Sequence, residues 1–112
     1  MADDRFHGIA VYKDKGDGCL NGTWTNTGTI GQLMNECARK KDDTNDCEDI
    51  CGEYYMSYIE PDGVTINGTL KVTKNGFTYI FDWYTDAGIN IFTGIGLESG
   101  KSHYSVSFIK VP

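Results

Sequence analysis

The sequence predicts an all-β fold: one small antiparallel up-and-down barrel of about 7 to 8 strands, interrupted by a short helical, acidic, cysteine-containing insertion. Three observations carry this expectation. The chain has 14 glycines but only 2 prolines, which suits strands joined by tight turns. Its two tryptophans, seven tyrosines and five phenylalanines are residues that fit a pleated, half-buried surface. Turn signals recur at roughly 8 to 12 residue intervals between alternating segments, the spacing of a sandwich or closed barrel.

The elements follow in order. Ile9 to Tyr12 is a short apolar run ended by Lys15-Gly16-Asp17-Gly18, and Leu20 to Asn26 follows with Trp24 as its one large residue. Thr29 to Met34 reads as a third strand. Arg39 to Glu53 then holds six acidic and three basic residues without periodicity, and reads as an insertion with a helical turn over Asp46 to Cys51. Glu53 to Ile59 is tyrosine-rich, Pro61-Asp62-Gly63 turns, and Val64 to Thr73 alternates up to the hairpin signal Lys74-Asn75-Gly76. Phe77 to Tyr84, Ile89 to Leu97 and Ser102 to Val111 complete the series, separated by Asp86-Ala87-Gly88 and Ser99-Gly100. On the first of these, Phe77, Tyr79, Phe81 and Trp83 repeat at period two, so four rings share one face and either fill the barrel or line a cavity in it.

Length bounds the organisation: 112 residues make one domain spanning the whole chain, with enough chain to bury about two-thirds of its unfolded surface. A net charge of -6 and a pI of about 4.7 disfavour nucleic acid, which needs an excess of cations against its phosphates. No apolar run approaches the roughly 18 residues of a membrane span. Met1 to Arg5 shows no apolar signal segment, which fits a cytosolic chain or a mature form restarted with methionine; the cysteines favour a secreted or periplasmic one.

Cys19, Cys37, Cys47 and Cys51 form an even set, read as disulfides in an oxidising compartment rather than as a zinc site, since their spacings of 17, 9 and 3 residues lack knuckle pairs. Cys47 and Cys51 would share one face of a helical turn, so each is expected to pair further away, with Cys19 or Cys37. Asp42, Asp43, Asp46, Glu48 and Asp49 are hard oxygen ligands, but they lack the calcium-loop spacing and read as a solvated loop. No metal and no cofactor are expected. His7 and His103 have no nucleophile motif beside them, so no enzyme is expected.

Cys19-Leu20-Asn21-Gly22-Thr23-Trp24-Thr25-Asn26 resembles the opening strand of avidin and streptavidin, and Gly22-Thr23-Trp24 is similar to the G-x-W start of lipocalins. Asn21-Gly22-Thr23 is also an N-glycosylation pattern, as is Asn67-Gly68-Thr69. Gly76-Phe77-Thr78 through Trp83 to Phe92-Thr93-Gly94 resembles a later avidin segment with the same spacing between landmarks, and Gly100-Lys101 leading to Phe108 is similar to the next hairpin. The similar parts cover about half the chain. Phe92-Thr93-Gly94-Ile95-Gly96 also resembles small bacterial lipocalin-like repeats.

The resemblance implies a calycin-type barrel whose interior holds a small, partly apolar ligand. It implies polar contacts from Asn26, Tyr55, Ser57 and Asn90 and hydrophobic walls from Trp83, Phe92 and Phe108, with Trp24 and Tyr79 as further lining candidates. Asp86 and Gly88 would stand in a flexible loop where that family has serines, and half of its polar contacts are changed, so biotin itself is not implied. The family's eighth strand is missing after Phe108, while Phe6 to Lys13 adds a strand that could close the barrel beside the last one.

The expected function is a non-enzymatic binding protein with a small-molecule ligand; self-association and a protein target stay open. The alternative is a secreted or periplasmic inhibitor of a lysozyme or peptidase, because Ser99-Gly100-Lys101-Ser102-His103-Tyr104 resembles the S-G-x-x-x-Y loop of bacterial lysozyme inhibitors of the C type.

Overall fold

The computed structural model describes residues 6–41 and 50–111. Eight strands follow one another: β1 (His7–Asp14), β2 (Cys19–Asn26), β3 (Met34–Lys40), β4 (Gly52–Ile59), β5 (Thr65–Asn75), β6 (Thr78–Thr85), β7 (Asn90–Gly100) and β8 (His103–Lys110). Each pairs antiparallel with the next, and β1 pairs with β8, so the sheet closes into an up-and-down barrel. The N-terminal strand does what the sequence expectation assigned to it: Val11 lies opposite Ser105 and Tyr12 opposite Tyr104, and no strand is left with an unpaired edge.

Strand ends shift from the sequence reading at several places, the last turn moving from Ser99-Gly100 to Lys101-Ser102, and two of the shifts change which side chains face inward. Thr29 to Leu33 is not strand, and the third strand is Met34–Lys40. Local polar groups win there: the Thr29 N–H donates to the Asn26 carbonyl at 3.0 Å, the Gln32 N–H to the Thr29 carbonyl at 2.9 Å, and Gly31 has φ 92°. Ile30 and Leu33 of this segment are exposed. At the next hairpin Gly76 and Phe77 form a two-residue loop between the Asn75 and Thr78 pair, with Gly76 at φ 63°. Phe77 is therefore 97% exposed and leaves the inward row, which consists of Tyr79, Phe81 and Trp83.

No helix occurs among the described residues, and none is long and apolar enough to cross a membrane. Asp42, Asp43, Asp46, Cys47, Glu48 and Asp49 lie outside the described residues. The cysteine expectation is corrected. Cys19 and Cys37 are free thiols, with side chains on the outer phase of β2 and β3. Cys51, next to Ile50, is buried at the barrel's closed end. A bridge needs Cβ atoms that face each other at short range, and the barrel wall separates the outward thiols from a buried one.

Alternation puts small and large residues in register across the interior. Tyr79 meets Tyr104 edge to face at 5.5 Å near the closed end, where the Tyr54 hydroxyl also donates to the Ile50 carbonyl at 2.6 Å. Tyr12 stacks on Phe81 at 5.4 Å in the middle, and Phe81 on Trp83 at 5.9 Å. Glycine makes the room. A Cβ on Gly22, which pairs with Tyr12, would stand 2.6 Å from that ring, and one on Gly96 would stand 2.9 Å from Phe81. Gly22→Ala should therefore destabilise the barrel by about 1 to 3 kcal/mol by displacing Tyr12. Urea unfolding checks this, as a lower midpoint at unchanged slope.

Candidate functional site

One end of this ladder is plugged and the other is not. Towards the mouth formed by the ends of β2, β4, β6 and β8, the interior opens into a cavity of about 60 Å³. That is room for several water-sized groups, since one water needs roughly 10 to 15 Å³ by this kind of measure. Ala10 and Tyr12 of β1 form its floor with Trp83 of β6; Trp24, Tyr58, Phe92 and Phe108 wall it; Asn26 and Glu60 stand at the rim. The walls interlock: Trp24 meets Tyr58 edge to face at 5.6 Å, Trp83 lies 5.5 Å from Phe108, and Phe108 lies 5.6 Å from Phe92. Two larger depressions lie on the outer surface, one beside Glu53 and Lys71 and one beside His7 and Ile30, the second sharing Asn26 with the cavity rim.

The cavity has a carboxylate in its floor. Strand period two puts Glu36 of β3 in phase with Ala38, hence inside, where it is 5% exposed. Tyr12 donates its hydroxyl to Glu36 Oε1 at 2.7 Å, and Trp83 donates Nε1–H to Oε2 at 3.2 Å. Burial pushes the Glu36 carboxyl up from its ordinary 4.5 to about 7, against the pull of those two hydrogen bonds. Burial, and then the Glu36 charge, likewise raise the Tyr12 phenol. Tyr58 is pushed up to about 12, first by burial and then by Glu60 and Glu36. No lysine, arginine or histidine lines the cavity among the described residues.

Trp24 borders the cavity with its ring. Its side chain is 9% exposed, and its Nε1–H, itself buried in packed surroundings, has no acceptor among the described residues. A buried donor left unmatched costs about 1 to 3 kcal/mol.

Of the residues singled out from sequence, Trp24, Asn26, Trp83, Phe92 and Phe108 come together at the cavity. Tyr79 points inward but lies at the closed end against Tyr104. Tyr55 and Ser57 are corrected to the outside. The inward phase of β4 is Tyr54, Met56 and Tyr58, one residue out of step with the positions the family resemblance implied. Tyr55 is exposed beneath the Arg39 guanidinium at 5.4 Å, and Ser57 donates to Asn67 Oδ1 at 2.5 Å. Asn90 is also displaced from the cavity: its amide donates to the carbonyls of Trp83 and Phe92, both at 3.0 Å, and so ties down the irregular step between β6 and β7. Asp86 and Gly88 lie exposed in the turn between those strands.

Sequence reasoning missed Glu36, Tyr12, Tyr58, Ala10 and Glu60. Glu36 could have been found, because strand period two puts it in one phase with Met34 and Ala38, a carboxyl between two apolar residues. Placing the third strand too early hid that pattern.

The other constellations stay apart. His7 and His103 are on the outer surface, His103 with Nδ1 2.8 Å from the Lys101 carbonyl. Among the described residues no group of three or more histidine, cysteine or acidic side chains is placed to hold a metal. In the Ser99 to Tyr104 hairpin the Tyr104 ring is buried, so the loop presents Ser99, Lys101 and His103 without it. Compared with protein-family models, curated proteins and solved structures, the chain matches none. Fold and site define the molecule by class: a closed eight-stranded up-and-down barrel with an aromatic, acid-floored cavity at one mouth.

Proposed function

We propose that this is a non-enzymatic binding protein of the avidin-like or lipocalin-like kind, holding a small, partly apolar ligand in the mouth of its barrel. The buried Glu36 carboxyl in the floor of an aromatic cavity carries the reading. A core that only needed filling has no use for a carboxyl beside open space, whereas a ligand donor reaching it offsets the cost of burial. The size of the cavity means that the ligand is small or inserts only its tip. The buried Tyr104 ring takes weight from the inhibitor reading, which needs a displayed loop.

A native, non-reducing mass spectrum of the protein purified from its own source tests the proposal and reports cysteine oxidation in the same experiment. The expected result is an added mass that leaves on denaturation and is missing in Ala10→Leu, whose larger side chain projects into the cavity floor. The same added mass on folded Ala10→Leu would place the ligand elsewhere, and a ligand-free parent protein would count against the carrier.

A further inference from the structure

We propose that the ligand is a small organic cation: a protonated amine seated against the Glu36 carboxylate between the aromatic walls. This rests on the mouth cavity being the binding site and names the chemical class it selects.

Three independent features converge on that class. The first is sign. Glu36 in the floor and Glu60 at the rim are the charged residues of the cavity, and no cation balances them among its lining residues. An anionic group would enter against both carboxylates, in a site where low dielectric strengthens the repulsion. The second is acceptor capacity. A carboxylate has about four lone-pair sites, and Tyr12 and Trp83 take one on each oxygen. The remainder can accept only from a donor, and a charged N–H donor makes the shorter and stronger bond. The third is the wall itself. Trp24, Tyr58 and Trp83 present rings around the same space, and the negative faces of aromatic rings attract a cation, most strongly when both are desolvated.

The groups facing Glu36 are Tyr12 from β1, Trp83 from β6, and Tyr58 with Glu60 at the end of β4; the tyrosines stay protonated near neutrality, so ionisation of Glu36 switches the attraction on. Amine affinity should accordingly fall as pH drops below about 7, while that of a neutral analogue should not.

The test uses three probes of one shape: 2-methoxyethylamine, 2-methoxyethanol and methoxyacetate. The protein has two tryptophans, so an ¹⁵N spectrum carries two indole N–H signals, assigned with Trp24→Phe. At pH 8, with probes taken to about 100 mM because so few atoms bind weakly, the amine should move the Trp24 signal with an affinity about tenfold or more above that of the alcohol. Methoxyacetate should bind weakest, and Glu36→Gln, with its fold checked by amide dispersion, should erase the amine's advantage. The pH dependence of the parent protein gives the same answer without any variant. Equal or tighter binding of the alcohol or the acid would overturn the cation assignment and leave the cavity as the site. Failure of all three to move the Trp24 signal would remove the cavity itself, and the carrier reading with it.

Discussion

Glu36→Gln should make the protein more stable than its parent at pH 8 by roughly 3 kcal/mol, with the gap closing towards pH 4. The carboxyl titrates near 4.5 in an unfolded chain and at about 7 in the barrel. Between those values the folded state holds a proton that the unfolded state has released, so stability is lost as pH rises through the window. Below it the penalty is absent, and above about 7 it is complete. Glutamine imitates the protonated form: its oxygen accepts from one of the two donors, and its amide can donate to the Tyr12 oxygen. Urea unfolding of both proteins at pH 5 and pH 8 measures the gap. A glutamine variant less stable than the parent at pH 8 would mean that the buried carboxylate supports the fold. The expected opposite identifies a residue retained at a cost in stability, as functional sites commonly require.

Trp83→Ala should be the most damaging single substitution in the cavity floor, costing about 3 to 5 kcal/mol. Trp83 is 4% exposed and stacks on Phe81 while touching Phe92 and Phe108, so truncation opens a hole where three strands meet. It also removes one of the two donors to Glu36. For a small domain such a loss is comparable to its whole stability, so loss of ligand in this variant cannot be separated from unfolding. Trp83→Phe separates them. It keeps the ring contacts, loses the N–H, and should move the Glu36 titration upward, because the carboxylate loses a hydrogen bond that favours its charged form. Thermal unfolding gives the cost, and ¹³C chemical shifts of the Glu36 carboxyl give the titration. An unshifted titration in Trp83→Phe would show that the indole does not hold the carboxylate.

How much of this was legible in the sequence depends on the length scale of the signal. Hairpins written in adjacent residues, such as Lys74-Asn75-Gly76, were readable because turn chemistry is local, and the closing role of Phe6 to Lys13 followed from the cost of an open edge. The segment from Thr29 to Leu33 was not, because side-chain and main-chain bonds around Thr29 bent a chain whose composition resembled a strand. That error moved the third strand and hid Glu36.

At the site, Trp83 was legible in a row of rings at period two and Trp24 as the one large residue of its strand, while Phe92 and Phe108 were named as walls through the family resemblance. Tyr55 and Ser57 were misplaced because one residue of phase reverses every side chain of a strand, and nothing local fixes the phase when tyrosines stand at both 54 and 55. Tyr12 was unreadable for another reason. Its hydroxyl meets a carboxyl 24 positions away, and only closure of the barrel brings the two together.

A crystal structure at pH 8 of the protein purified from its own source should show ordered non-protein density larger than water in the mouth cavity, with a donor on the free side of Glu36. A cavity holding only water, or one closed by a turned Trp24 side chain, would overturn the carrier reading.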